Sequence, residues 1–245
     1  MIQTLFALAP RAEVWQVKVM RNLVLPLVLA ACVAPAFAAE GWLTDLDEAK
    51  KVAAQENKDI LIEFTGSDWC PPCMKMRADV MTKDEFIKPT SEKFVLVELD
   101  YPKSKEQAQE VKIKNNQLAK QYGVEAFPTV VFADAQARPF GVFLGGRDMQ
   151  GVNDEIKVAL EAKESVLNAL ATTETATTDE DKVETIAKLL ETVPEEFADT
   201  FYKPQQDLLT SLDKEDKYGF RAKEELKNKT IEQEKALLHF MRTNV

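Results

Sequence analysis

Apolar positions along the chain fall into short continuous runs separated by amphipathic stretches. Thr44, with Asp47 three residues on, is a capping-box-like start, and Leu46, Ala49, Val52 and Ala53 then mark one face of a short helix to about Glu56. Asn57-Lys58-Asp59 turns the chain into Ile60–Phe64, apolar except for Glu63, which predicts a buried strand. Its end delivers Thr65-Gly66-Ser67-Asp68-Trp69-Cys70, and a breaker-free helical stretch runs from Met74 to Val80. Phe94–Leu99 predicts a second strand. A polar segment from Lys103 to Gln121 ends in a helix carrying Leu118, Ala119 and Tyr122 and stopped by Gly123. Thr129–Phe132 and Phe140–Leu144 predict two further strands. Val152–Leu170 predicts a long helix with Ile156, Ala159, Leu160, Val166 and Leu167 at core spacing. This order implies an α/β fold in which helices flank a mixed sheet.

Two regions flank that unit. From Leu23 to Ala39 no residue is charged, Arg21 stands just before the run, and Pro26 and Pro35 interrupt it. The run is short for a spanning helix, which needs about 20 apolar residues, and reads as a signal peptide over residues 1–38. Ala36-Phe37-Ala38 supplies the small residues at its cleavage site. Met20 is an alternative start. Leu29-Ala30-Ala31-Cys32 offers a competing lipoprotein box that would anchor the chain to a membrane through Cys32. The expected organisation is a sheet domain over 39–171, a solvated Thr/Ala/Glu/Asp linker over 172–181 and a small all-helical extension over 182–245. Within the extension Val183, Ile186, Leu189 and Leu190 repeat at helical spacing. About 65 residues is little for an independent core, so the extension is expected to dock on the sheet domain or on a second copy in a homodimer.

Removing 1–38 takes away Arg11, Lys18, Arg21 and Glu13, and the net charge goes from −10 to −12. Nucleic acid is thereby an unsuitable partner, since phosphate recognition draws on clustered positive charge. Cys32 leaves with the leader, so only Cys70 and Cys73 remain. An exported chain with one closely spaced pair is not a disulfide scaffold, and so short a loop removes little unfolded-state entropy. Structural zinc wants four ligands, yet the one histidine is His239. Haem attachment wants His after the second cysteine, where Met74 stands. No metal or other cofactor is expected.

Position supplies the remaining chemistry. With Cys70 as N-cap, Pro71, Pro72 and Cys73 become the first three helical residues, and the Cys70 sulfur faces unpaired N–H groups and the positive end of the helix dipole. That lowers a thiol pKa and makes Cys70 the attacking sulfur and Cys73 the resolving one. Proline has no N–H, so Cys73 N–H is the nearest donor left. Cys70 is then only moderately acidified, which favours reductase or isomerase work over strong oxidation.

Leu61-Ile62-Glu63-Phe64, Trp69-Cys70-Pro71-Pro72-Cys73 and Phe127-Pro128-Thr129 ahead of a strand resemble the thioredoxin superfamily, in particular its bacterial exported members, over about residues 41–171. The resemblance implies a thioredoxin-like fold and a thiol-disulfide oxidoreductase acting on protein disulfides in the periplasm, with an upstream redox partner. It further implies that Pro128 is the cis-proline, that Phe127 and Trp69 contact an extended substrate, and that Glu63 is the buried carboxylate serving the resolving cysteine. The other reading of Glu63 is an edge-exposed strand carboxylate. The longer 100–117 segment and the C-terminal helices have no thioredoxin counterpart. Met74 and Met76 keep a Cu(I)-carrying role open beside their reading as core filler, and the terminal helices keep a redox-linked adaptor open. His239 reads as a packed or surface residue.

Overall fold

The computed structural model describes residues 37–39 and 41–243; Met20, Cys32 and the rest of the expected leader up to residue 36 lie outside the described residues. The strands are β1 (Phe37–Ala39), β2 (Trp42–Leu43), β3 (Asp59–Thr65), β4 (Phe94–Asp100), β5 (Thr129–Ala133) and β6 (Pro139–Leu144), joined in one sheet of order β1-β2-β4-β3-β5-β6. β3 is parallel to β4 and antiparallel to β5, and β5 and β6 form an antiparallel pair. Every residue of β3 is buried, as expected for a strand covered on both faces.

The expected first helix is α1 (Leu46–Glu56), but its cap is Asp45 and not Thr44: Asp45 Oδ1 accepts from Asp47 N at 2.7 Å and Glu48 N at 3.1 Å. The carboxylate satisfies two orphan N–H groups of the first turn. Asn57 ends the helix with φ 53°, a conformation Asn tolerates. α2 (Pro71–Met76) follows β3 and continues as a π-helical turn over Arg77–Met81. Three elements escape the periodicity reading: β1, which falls at the end of the stretch read as a leader, β2, only two residues long, and α3 (Asp84–Ser91), whose Pro89 lies inside the helix. α4 (Gln109–Gln121) closes the long polar segment.

α5 (Met149–Thr175) extends through the first part of the stretch read as a linker. The hydroxyls of Thr172, Thr173 and Thr175 donate to carbonyls four residues back at 2.7–3.0 Å, so a polar, threonine-rich run remains helical. The helical break is confined to 176–178, where Thr178 accepts from Asp181 N and caps α6 (Asp179–Thr192). α7 (Glu195–Phe201), α8 (Lys203–Leu212) and α9 (Phe220–Thr243) complete the extension.

The extension shares its core with the sheet. Tyr122, at the end of α4, packs on Phe197 and Phe201 with ring centroids 6.3 and 4.8 Å apart. The buried Tyr202 hydroxyl donates to Pro139 O at 3.0 Å. Ile186, Leu189, Phe197 and Leu209 are fully buried in the same apolar cluster as the sheet residues. α9 differs in burying none of its side chains. Among the described residues no helix is long and apolar enough to cross a membrane.

Candidate active site

β3 ends at Thr65 and a four-residue turn carries the chain to Cys70, the N-cap of α2. The turn is clamped from the far side. Tyr101 N donates to Thr65 O at 2.9 Å, Ser67 donates through N and Oγ to the Asp100 carboxylate, and Cys70 N donates to Gly66 O at 3.0 Å. Asp68 accepts from the backbone N–H groups of Lys103, Ser104 and Lys105 at 2.6–3.0 Å. These bonds hold its carboxyl below the usual range and tie the 100–105 loop to the turn.

Trp69 fills the space between them. Its Nε1 donates to Tyr101 O at 2.8 Å, its ring meets Phe127 edge-on at 5.7 Å, and Lys103 Nζ sits 3.7 Å from its centroid. A Cβ on Gly66 would come within 2.6 Å of the indole, so only glycine fits beneath it.

Cys70 and Cys73 form a disulfide. Pro71 and Pro72 occupy the first two helical positions, and the donor directed at Cys70 Sγ is Cys73 N, at 3.3 Å, the geometry expected from the sequence. Phe127 O lies 3.6 Å from Cys70 Sγ. A disulfide sulfur has no proton to give, so this becomes a hydrogen bond only in the reduced thiol. The carbonyl dipole favours the protonated sulfur, whereas the Cys73 amide favours the thiolate. Cys70 is 4% and Cys73 1% exposed.

The Phe127–Pro128 peptide bond is cis. Its loop is held by Thr129 Oγ1 donating to Ala126 O at 2.8 Å and Gly145 N donating to Pro128 O at 2.8 Å. The β6–α5 connection also closes on the site, since a Cβ on Gly146 would meet Pro72 O at 3.3 Å.

Glu63 lies fully buried on β3, between Glu98 of β4 and Val130 of β5. Neither of its oxygens makes a hydrogen bond of ordinary geometry. Burial, seconded by the Glu98 charge, pushes its carboxyl up to about 8, against the pull of the Arg77 guanidinium. Glu98 is also raised by burial, opposed by Arg77, whose guanidinium lies 2.5 Å from it. Glu98, Arg77, Asp68 and Asp100 were not singled out from the sequence. For Glu98 the available signal was the one that marked Glu63: a single carboxylate within an apolar strand.

Met76 is buried in the hydrophobic core, whereas Met74 is 42% exposed. His239 lies on the exposed face of α9, far along the chain from the cysteines. Among the described residues no group of three or more His, Cys, Asp or Glu side chains is placed to hold a metal ion.

A sheet strand that delivers a cysteine to a helix N-terminus, with its partner one turn inside and a cis-proline loop against the sulfur, defines a dithiol–disulfide site on a thioredoxin-type fold. Residues 41–135 match the family model described as Thioredoxin-like. The chain is 38% identical over 91 residues to the disulfide bond reductase DsbH of Chlamydia pneumoniae, covering 37% of this chain and 55% of that protein. It is 32% identical over 135 residues to the thioredoxin-related protein DsbJ of the same organism, covering 52% and 38%. The matches thus span about half or less of these curated relatives. A solved structure titled DsbH oxidoreductase is 32% identical, with 53% of this chain and 89% of that one covered at a TM-score of 0.45. Residues 41–135 thus carry a thioredoxin-like domain.

Proposed function

We propose that the chain is a thiol-disulfide oxidoreductase, working on protein disulfides as a reductase or isomerase through Cys70 and Cys73. The observation that carries this reading is the Cys70 sulfur at the start of α2, facing the Cys73 amide and lying against the cis-proline loop. In the reduced protein the Cys70 thiolate attacks a substrate disulfide, one substrate sulfur leaves as thiolate, and a mixed disulfide forms on Cys70. Cys73 gives its proton to Glu63, its thiolate attacks the Cys70 sulfur, the Cys70–substrate bond breaks, and the second substrate sulfur leaves. An extended substrate segment lies along the Phe127 backbone and against the Trp69 indole. Two prolines leave one amide to hold the thiolate, and the Phe127 carbonyl opposes it. Cys70 is therefore only moderately acidic, which favours reduction, in keeping with the name disulfide bond reductase carried by one relative.

The uncharged run at 23–39 supports export, with the periplasm as the working compartment and an upstream dithiol partner returning electrons to the site. The shared core of extension and sheet supports reading 182–245 as a docked extension of the enzyme, with the exposed apolar residues of α9, such as Leu226 and Leu237, as the surface for a second copy or a partner.

Trapping tests the reading. Cys73→Ala is expected to accumulate mixed disulfides on Cys70 that reducing agent releases, and the intact protein to reduce insulin. A reduction potential near the ~−120 mV of a strong periplasmic oxidant, not toward the ~−270 mV of thioredoxin, would overturn the reductive direction. Absence of both trapped species and insulin reduction would overturn the activity.

A further inference from the structure

The π-helical turn after α2 brings a cation to the buried carboxylates. Arg77 stands four residues after Cys73, so both lie on one face of the helix, and Arg77 N donates to Cys73 O. Its guanidinium reaches Glu98 at 2.5 Å. Glu98 is the register partner of Glu63 across two parallel strands, which stand about 4.8 Å apart and turn these side chains to the same face. Lys163 of α5 reaches Asp59, four residues before Glu63 on that face, at 2.7 Å, so α2 and α5 cover it together. Cys73 and Arg77 thus share a helix face, Arg77 pairs with Glu98, and Glu98 is the register neighbour of Glu63.

We propose that Arg77 and Glu98 are positioning residues of the resolving step, a partly buried ion pair that fixes the pH at which Glu63 can receive the Cys73 proton. This rests on the reading above in which Glu63 serves Cys73. Two carboxylates and one guanidinium share a site with room for one neutralised pair. Glu98 is in contact with Arg77, so Glu63 is the carboxylate that holds a proton at neutral pH. The step balances as follows: ionised Glu63 takes the proton of Cys73, the Cys73 thiolate bonds to Cys70 Sγ, and the Cys70–substrate bond breaks. The electron pair leaves on the substrate sulfur, which is protonated by solvent, and Glu63 returns its proton to water before the next turnover. Without Glu98 the Arg77 charge acts on Glu63 alone, and Glu63 ionises at lower pH. The other charges facing the cluster are Asp100, two residues beyond Glu98 on β4, and Lys105 from the following loop. From β3 the Thr65 hydroxyl faces it, and β5 offers the apolar Val130.

The experiment uses the reduced full chain and a chromogenic aromatic disulfide in stopped flow from pH 5 to 10. Attack by Cys70 releases one chromophore, and resolution by Cys73 releases the second, so the two steps are read separately. Glu98→Gln is expected to move the acid limb of the second phase down by about 1–2 pH units and to leave the first phase unchanged. Arg77→Lys, which keeps the charge, is expected to stay near wild type. Arg77→Met combined with Glu98→Gln removes the pair as neutral groups and is expected to return the limb toward wild type, an outcome that general damage to the site would not give. A limb unmoved in Glu98→Gln, or equally displaced in the single and double variants, overturns the proposal. A limb unmoved in Glu63→Gln overturns it together with the role of Glu63, and absence of the first phase in wild type overturns the oxidoreductase reading itself.

Discussion

Replacing Glu63 with Gln is expected to stabilise the oxidised protein, by an amount that depends on pH. Burial holds the carboxyl at about 8 in the folded chain against 4.5 in the unfolded one. Between those values the folded protein keeps a proton that the unfolded chain has released, so the folded state loses stability as pH rises through the window. At ~1.4 kcal/mol per unit, the gap corresponds to a penalty of about 5 kcal/mol above pH 8 and about 3 kcal/mol at pH 7. Gln has nearly the volume of the protonated acid and carries no charge at any pH, so the penalty vanishes with the substitution. Urea unfolding of the oxidised wild type and Glu63→Gln at pH 4, 7 and 9 reads the effect directly. The variant should gain little at pH 4, about 3 kcal/mol at pH 7 and more at pH 9. A stability difference that stays constant across this range would refute a buried, proton-holding Glu63.

Three further outcomes follow from the geometry. Pro72→Ala restores an N–H in the first turn of α2, so the Cys70 thiolate should gain a donor; its pKa, read by iodoacetamide alkylation against pH, should fall, and the reduction potential should rise by about 30 mV for each 1.4 kcal/mol gained by the dithiol form. Gly66→Ala places a Cβ within 2.6 Å of the Trp69 ring and should displace the indole. The cost should be about 1–3 kcal/mol in unfolding, together with a shift in Trp fluorescence and a higher KM for protein disulfides. Tyr202→Phe removes the buried bond to Pro139 O and leaves that carbonyl without its donor, at a cost of about 1–3 kcal/mol. Amide exchange should speed up in α7 and α8 while insulin reduction is retained.

The central strands were readable because they are buried on both faces and therefore nearly unbroken in apolarity; β3, β4 and β5 fall where Ile60–Phe64, Phe94–Leu99 and Thr129–Phe132 run. The Cys70 cap was readable because its geometry follows from two prolines and a cysteine in the first turn of one helix. What was not readable depends on distant pairing. The two residues of β2 are a strand only because β4 lies beside them. α3 keeps Pro89 late in a short helix, against its helix propensity. The threonines at 172–175 read as solvated coil because composition is silent about hydroxyls that bond back along a helix. Glu98 looked like a strand residue with one polar side chain until register set it beside Glu63 and the π-helical turn aimed Arg77 at it.

That pairing bears on why the two sulfurs should have different tasks. Cys70 stands at a helix N-terminus with one amide directed at it, so negative charge is favoured there, although the Phe127 carbonyl limits the gain. Cys73 lies one turn inside, shielded from water and on the helix face that leads to two carboxylates and a single guanidinium. A thiolate at Cys73 would add charge to a cluster already in excess of negative groups, so it should form only when its proton passes to Glu63. In the proposed mechanism the first attack therefore belongs to Cys70 at any pH where its own thiol is ionised, while resolution waits on the carboxylate. Both phases of the stopped-flow experiment report this asymmetry: the first chromophore should follow the Cys70 pKa alone, and the second should follow Glu63. If the two phases titrated together, with one midpoint that no change at Glu63 or Glu98 displaced, the division of labour between the sulfurs would have to come from exposure alone.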